Sequence, residues 1–403
     1  MALAQIFSKD GENWKGLWNR TLVFLFIATY FLDDITRYKH LILILMAFTA
    51  IYYIAKAPSR YLAPLRSPIF YTVLLLSCAV ASSLAISPDT QASFREFKKS
   101  ILEAMLLYAF LIPVILRDED TDSVAKIIFY SFLTAITLRC IITLAYYAID
   151  YQNGIMPFSN YQYRGVSDSL VYLFPALLNL WLLKKIKHRL AFVVISAIFL
   201  FVLLGTLSRG AWLAIVIMGL IWIAMAKQWK VLIIGLLFAV ITGAAIYSHQ
   251  DTSKRLITKL EQTDGSNRYK NGTQGSAAEL VLAKPVTGYG YGNKVYSQVY
   301  NQQVVHHPEW LARKSLGPHN LILFVWFGAG ILGLATLLLL YYMIGKKCIA
   351  NKGHFSNKSP YNAYIMLLLT LIGYYLIRGN LEQIELNHLG IITGLLLALS
   401  KRK

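Results

Sequence analysis

Apolar runs of about 17 to 25 residues recur along this chain, each long enough to cross the hydrocarbon core of a bilayer. Inside lipid no water satisfies the backbone, so such runs must be helices. The expected spans lie near residues 17–32, 40–55, 69–86, 101–116, 124–148, 168–183, 190–206, 211–226, 231–247, 319–343, 361–377 and 386–399. Most read as unbroken, and several are short enough to imply tilt or local thinning. The first follows Lys9, Lys15 and Arg20 as a secretory signal would. It lacks a small-x-small cleavage site and runs into Asp33-Asp34, so it reads as a retained helix. Composition agrees: 57% of the 403 residues are hydrophobic and 15% charged, against roughly a quarter charged in soluble domains. The expected fold is an all-α integral membrane protein of about 12 transmembrane helices. No internal repeat is visible.

The formal net charge of +19 suggests nucleic acid at first sight. The basic residues, however, form short clusters between apolar runs, which is how cytoplasmic loops of membrane proteins look, and nucleic-acid binding is excluded as a working reading. Alternate loops carry 21 and 8 Lys and Arg once the one long loop and the intrahelical Arg139 are set aside. The richer set, which includes both termini, is expected in the cytoplasm. The chain thus divides into helices 1–9 over residues 1–247, a long outer loop over 248–318, and helices 10–12 over 319–403. That loop is polar, rich in Tyr, Gly, Asn and Gln, and too long for a passive connector. Arg255 to Gln262 and Ala277 to Lys284 are expected as short helices, and Gly288-Tyr289-Gly290-Tyr291-Gly292-Asn293 as a chain of turns.

The best-marked site is the return of this loop to the membrane at Gly317-Pro318-His319-Asn320. Pro318 can open a helix, which places His319 in the first turn, where a neutral imidazole suited to general base catalysis is favoured. Position alone leaves an interfacial capping or packing histidine equally open. Arg209, in Thr206-Leu207-Ser208-Arg209-Gly210, sits between two spans on the same side; it reads either as an anion ligand or as a snorkelling side chain. Arg268 alone would be an ordinary solvated arginine. Two guanidinium forks converging on one ligand would suit a diphosphate. Arg139, inside the fifth span, is expected to be paired structurally. Arg378, with Glu382 and Glu385 in the last outer loop, would bind a partner or close a salt network.

Other motifs are weaker. Asp118-Glu119-Asp120 has an Asp-x-Asp form but falls on the cytoplasmic side and reads as a solvated loop. His306-His307 are adjacent and do not face one way on a helix, so no metal site is expected. Cys78, Cys140 and Cys348 share no ligand spacing and read as buried free thiols. No dinucleotide fingerprint, nucleophile elbow or P-loop appears.

These residues resemble the O-antigen ligases of lipopolysaccharide assembly, in particular the enterobacterial type. The resemblance covers essentially the whole chain and includes Phe31-Leu32-Asp33, Thr36-Arg37-Tyr38-Lys39-His40, Gly205 to Trp212 and Gly288 to Asn293. A wider superfamily, shared with O-antigen polymerases and protein O-oligosaccharyltransferases, carries His, then Asn, Ser or Gln, nine residues, then Gly-x-x-Gly. Here it reads His319-Asn320, nine residues from Leu321 to Ala329, then Gly330-Ile331-Leu332-Gly333. The resemblance implies a fold like the GT-C membrane glycosyltransferases. It implies a metal-independent enzyme of the inner membrane, without cofactor, working on the periplasmic face. The donor would be an O-antigen glycan on undecaprenyl diphosphate, the acceptor a sugar of lipid A–core, and membrane lipids the surroundings. The family's essential histidine falls on His319 and its arginines on Arg209 and Arg268, although the Trp that often follows the second arginine is absent. Transfer with inversion is expected, with Asn320 orienting His319 or contacting sugar, and Arg139 and Arg378 supporting. The alternatives are an O-antigen polymerase, or a transporter of lipid-linked sugars, which would show internal repeats and broken helices.

Overall fold

Every expected span coincides with a helix in the computed structural model, which describes residues 14–33, 35–155, 161–183, 185–247, 268–351 and 359–400. Among the described residues there is no strand. In chain order the helices are α1 (Trp14–Tyr30), α2 (Thr36–Lys56), α3 (Pro68–Ile86), α4 (Thr90–Asp118), α5 (Thr121–Gln152), α6 (Val166–Leu180) and α7 (Ile186–Gly205). They continue with α8 (Arg209–Ala226), α9 (Trp229–Tyr247), α10 (Thr273–Ala283), α11 (Asn293–Gln303), α12 (Leu321–Ala350), α13 (Pro360–Leu381) and α14 (Asn387–Leu399). Among the described residues, eight helices (α2, α3, α4, α5, α7, α8, α12 and α13) are long and apolar enough to cross a membrane. The short helices α6 and α14 are buried along most of their length and form the middle of the bundle. Outer helices show the reverse: Phe48 and Ile51 on α2 are 67% and 63% exposed. Apolar side chains left bare in this way need a hydrocarbon solvent. The chain is a multi-pass membrane protein.

The long span after His319 is not the unbroken helix its sequence suggests. Ala329 and Gly330 leave helical geometry (φ −118°, ψ 15° and φ 61°, ψ −160°). Carbonyls freed by such a break must find donors inside lipid. The Gly-Tyr-Gly-Tyr-Gly turns supply them: the Tyr289 N–H donates to Phe327 O at 2.8 Å and the Gly290 N–H to Gly328 O at 3.0 Å. In return, the Ile331 N–H donates to Val286 O at 3.2 Å. A Cβ on Gly330 would fall 2.0 Å from that carbonyl oxygen, so the Gly-x-x-Gly signature is the seat on which the loop docks. The motif's spacing now has a physical reason.

Several expectations shift. Of the two short loop helices, Arg255 to Gln262 lies outside the described residues, and the second begins earlier than expected, spanning Thr273–Ala283 before Pro285. Asp118-Glu119-Asp120 is no solvated loop. Asp118 pairs with Lys15 at 2.6 Å and Arg60 at 2.7 Å, Glu119 is buried against Arg20 at 3.5 Å, and Asp120 caps α5 through the Ser123 N–H. The acids are consumed in stapling helix ends together. All three cysteines are free, but Cys78 is exposed on α3 while Cys140 and Cys348 are buried.

Candidate active site

One end of the bundle gathers the starts of α6, α8, α12 and α14 with the end of α13. Arg378 ties these ends together. It is 3% exposed, and its guanidinium donates to Asp168 on α6, to Ser167 Oγ at 2.7 Å and to Ser208 Oγ at 2.9 Å. Such a buried, fully partnered arginine is a strut, and neither Glu382 nor Glu385 is its ion-pair partner. Its carbonyl accepts the Glu382 N–H at 2.8 Å, which fixes where that carboxylate stands.

Glu382 is the centre of the site. Oε2 lies 3.0 Å from His319 Nδ1, and Oε1 pairs with Arg164 and lies 4.0 Å from Arg268 Nη2. Arg268 Nη1 also donates to Leu381 O at 2.5 Å. Burial alone would raise the Glu382 carboxyl, but the His319 hydrogen bond and the charges of Arg164, His319 and Arg378 hold it down at about 2. Its neighbour Glu385 accepts from Asn387 Nδ2 at 2.7 Å, and desolvation pushes its carboxyl up.

His319 precedes α12 instead of sitting in its first turn. Asn320 is the N-cap, accepting the Leu323 N–H at 3.1 Å, and α12 begins at Leu321. The imidazole therefore meets a carboxylate, where the sequence suggested bare helix amides. The His319 backbone is left-handed, with φ 46°, which costs a side-chain-bearing residue about 1–3 kcal/mol. Gln274 on α10 holds it there, donating from one Nε2 to His319 O at 2.9 Å and to Asn380 O at 2.8 Å. Asn320 Nδ2 donates to Asn380 Oδ1 at 3.2 Å, so it braces the α13 end and does not touch the histidine ring.

Arg209 opens α8 at the same end. Its flanking residues place it: Ser208 is bonded to Arg378, and a Cβ on Gly210 would lie 3.2 Å from Leu381 Cβ, one residue before Glu382. Ser208 makes no side-chain cap to α8; its carbonyl accepts the Ala211 N–H at 3.0 Å and the Trp212 N–H at 3.1 Å, which sets the first turn behind Arg209. Arg139 is not brought to this web. It pairs with Asp33 at 2.5 Å, as its depth in the bundle demands.

Sequence reasoning missed three members. Arg164 and Gln274 drew no notice, and Glu382 was noted only as an acid of the last loop. Among the described residues, one group has metal-ligand spacing: Glu279, His307 and Glu309, whose ligand atoms lie within 4.8 Å of one another. His307 stacks on Trp310 at 4.3 Å, and none of the three bonds to His319 or Glu382.

The O-antigen ligase family (Wzy_C) matches residues 171–338, a stretch that includes Arg209, Arg268 and His319. The O-antigen ligase of Salmonella typhimurium LT2 is 50% identical over 394 residues, covering 97% of this chain and 98% of that protein. A protein of Rickettsia prowazekii described as a candidate polysaccharide ligase is 26% identical over 193 residues, covering 46% of this chain and 47% of that protein. With half of the residues identical over nearly the whole of both chains, the chain belongs to the O-antigen ligase family.

Proposed function

We propose that this protein is an O-antigen ligase that moves a finished glycan from undecaprenyl diphosphate to a hydroxyl of lipid A–core. The single observation that carries the mechanism is the His319 Nδ1 to Glu382 Oε2 contact of 3.0 Å. A carboxylate that accepts the Nδ1 proton leaves Nε2 with its lone pair, the tautomer a general base needs. Nε2 takes the proton of the acceptor hydroxyl as its oxygen attacks the anomeric carbon. The bond from that carbon to the diphosphate breaks, and the electron pair leaves with the diphosphate.

Charge developing on the leaving group is met by Arg209 at the start of α8 and by Arg268. One displacement inverts the anomeric carbon, and the chemistry needs no metal in this reading. The preponderance of Lys and Arg in alternate loops supports an inner-membrane protein with both termini in the cytoplasm and His319 on the periplasmic side. Similarity to a ligase over nearly the whole chain favours a lipid A–core acceptor over a lipid-linked one, and hence a ligase over a polymerase.

Expression of His319→Ala and Arg209→Ala in a strain without its own ligase tests the roles. Both variants should leave bare core and accumulate undecaprenyl-linked chains. Capped lipopolysaccharide at the wild-type level with either variant would sink the corresponding assignment.

A further inference from the structure

At the end of the bundle opposite His319 lies a cavity of about 560 Å³ between α3, α12 and α14, within the range that holds a small ligand. Four cations line it, Arg66, Arg117, Lys346 and Lys347, and no acid does. Arg66, Lys346 and Lys347 enter no ion pair among the described residues, and the nearest acid in sequence, Asp118, is committed to Lys15 and Arg60. The start of α3 adds to this field. Its N-cap, Ser67, lines the cavity and makes no side-chain cap, so the N-terminal dipole adds its partial positive charge.

Depth distinguishes the ligand. On each wall an apolar lining residue lies three positions nearer the membrane centre than the polar one: Met343 below Lys346, Ile69 below Arg66 and Leu397 below Ser400. Beside Arg117, α5 runs as one helix from Thr121 to Gln152, about 47 Å at helical rise, so the cations reach the headgroup layer of the far leaflet. We infer that this cavity binds the headgroup of an anionic phospholipid of the leaflet opposite the His319 site. The cations and the α3 N-terminus hold the phosphate, and Met343, Ile69 and Leu397 pack the first methylenes of the tails. The orientation proposed above decides only which leaflet this is.

Purified full-length protein, loaded with phosphatidylglycerol or phosphatidylcholine and then stripped in detergent, is weighed by native mass spectrometry. The wild type should retain one phosphatidylglycerol and no phosphatidylcholine, and millimolar inorganic phosphate should not displace it. Arg66→Gln with Lys347→Gln should bind about thirtyfold more weakly, and Arg66→Lys with Lys347→Arg should restore retention. Lys185→Gln with Lys187→Gln, which removes equal charge at the same membrane face outside the cavity, should change nothing. Equal retention by the first pair, equal loss in the last pair, or displacement by phosphate would each overturn the assignment.

Discussion

His319 Nδ1 and Glu382 Oε2 lie 3.0 Å apart, joining two residues 63 positions distant into one proton-handling unit. The carboxylate fixes which ring nitrogen carries hydrogen, and a geometrically similar amide cannot. Glu382→Gln should therefore lower kcat on the order of 10²-fold with little change in KM. Steady-state transfer from lipid-linked glycan to purified lipid A–core measures it; an unchanged kcat would reduce Glu382 to a packing residue.

The same carboxylate sets an acid limit. Its folded value of about 2 lies below the ordinary 4.5. Ionised Glu382 thus stabilises the fold fully above pH 4.5, and the contribution is lost as pH falls through about 2. The difference corresponds to about 3 kcal/mol. Thermal denaturation in detergent across that window should show a steeper loss of Tm in the wild type than in Glu382→Gln. Parallel curves would refute the linkage.

Arg268 donates from Nη1 to Leu381 O, while Nη2 stands 4.0 Å from Glu382 Oε1, close enough for attraction but free to turn its planar fork toward a diphosphate. A lysine keeps the charge but not the fork. Arg268→Lys and Arg209→Lys should each cost about 10² to 10³ in kcat. Near-wild-type turnover in either would show that charge alone suffices.

Arg378 should behave differently, because its donors are spent inside the protein. Arg378→Met leaves Asp168 without its guanidinium and unties α6 from α8, at a cost of about 3–5 kcal/mol. The expected readout is a fall in Tm, with KM for the donor unchanged in whatever protein remains folded. A selective rise in that KM would instead place Arg378 on the ligand.

Hydropathy made the spans legible because a bilayer imposes one length on every crossing, and each expected run did fall on a helix. Turn chemistry and charge singled out His319 and Arg209, while Arg268 took its role from the family resemblance. What stayed hidden depends on contacts between distant segments. Arg164 meets Glu382 across 218 positions, and Gln274 reaches His319 from a loop helix with no marked polarity pattern. The only local hint of Glu382 was its place with Arg378 and Glu385 in the last outer loop. The break at Gly330 was hidden for another reason. A glycine in an apolar run is ordinary in a membrane helix, and nothing nearby announces that Val286 will occupy the gap.

That gap supports the last prediction. Gly330 has φ 61°, and a Cβ there would fall 2.0 Å from Val286 O and 2.7 Å from Thr287 C, both backbone atoms that cannot swing aside. Gly330→Ala must either close the helix or push the loop outward. In both cases Tyr289 and Gly290 lose their acceptors on α12, and the loop that carries Gln274 is no longer anchored beside His319. Transfer should fall by at least as much as in Gln274→Ala, while α12 still inserts, since alanine favours helix over glycine by about 1 kcal/mol. Limited proteolysis of the loop from the outer side, run beside the transfer assay, separates the outcomes. Activity loss with faster cleavage between residues 284 and 318 is expected, and wild-type cleavage with wild-type transfer would show that the docking is dispensable.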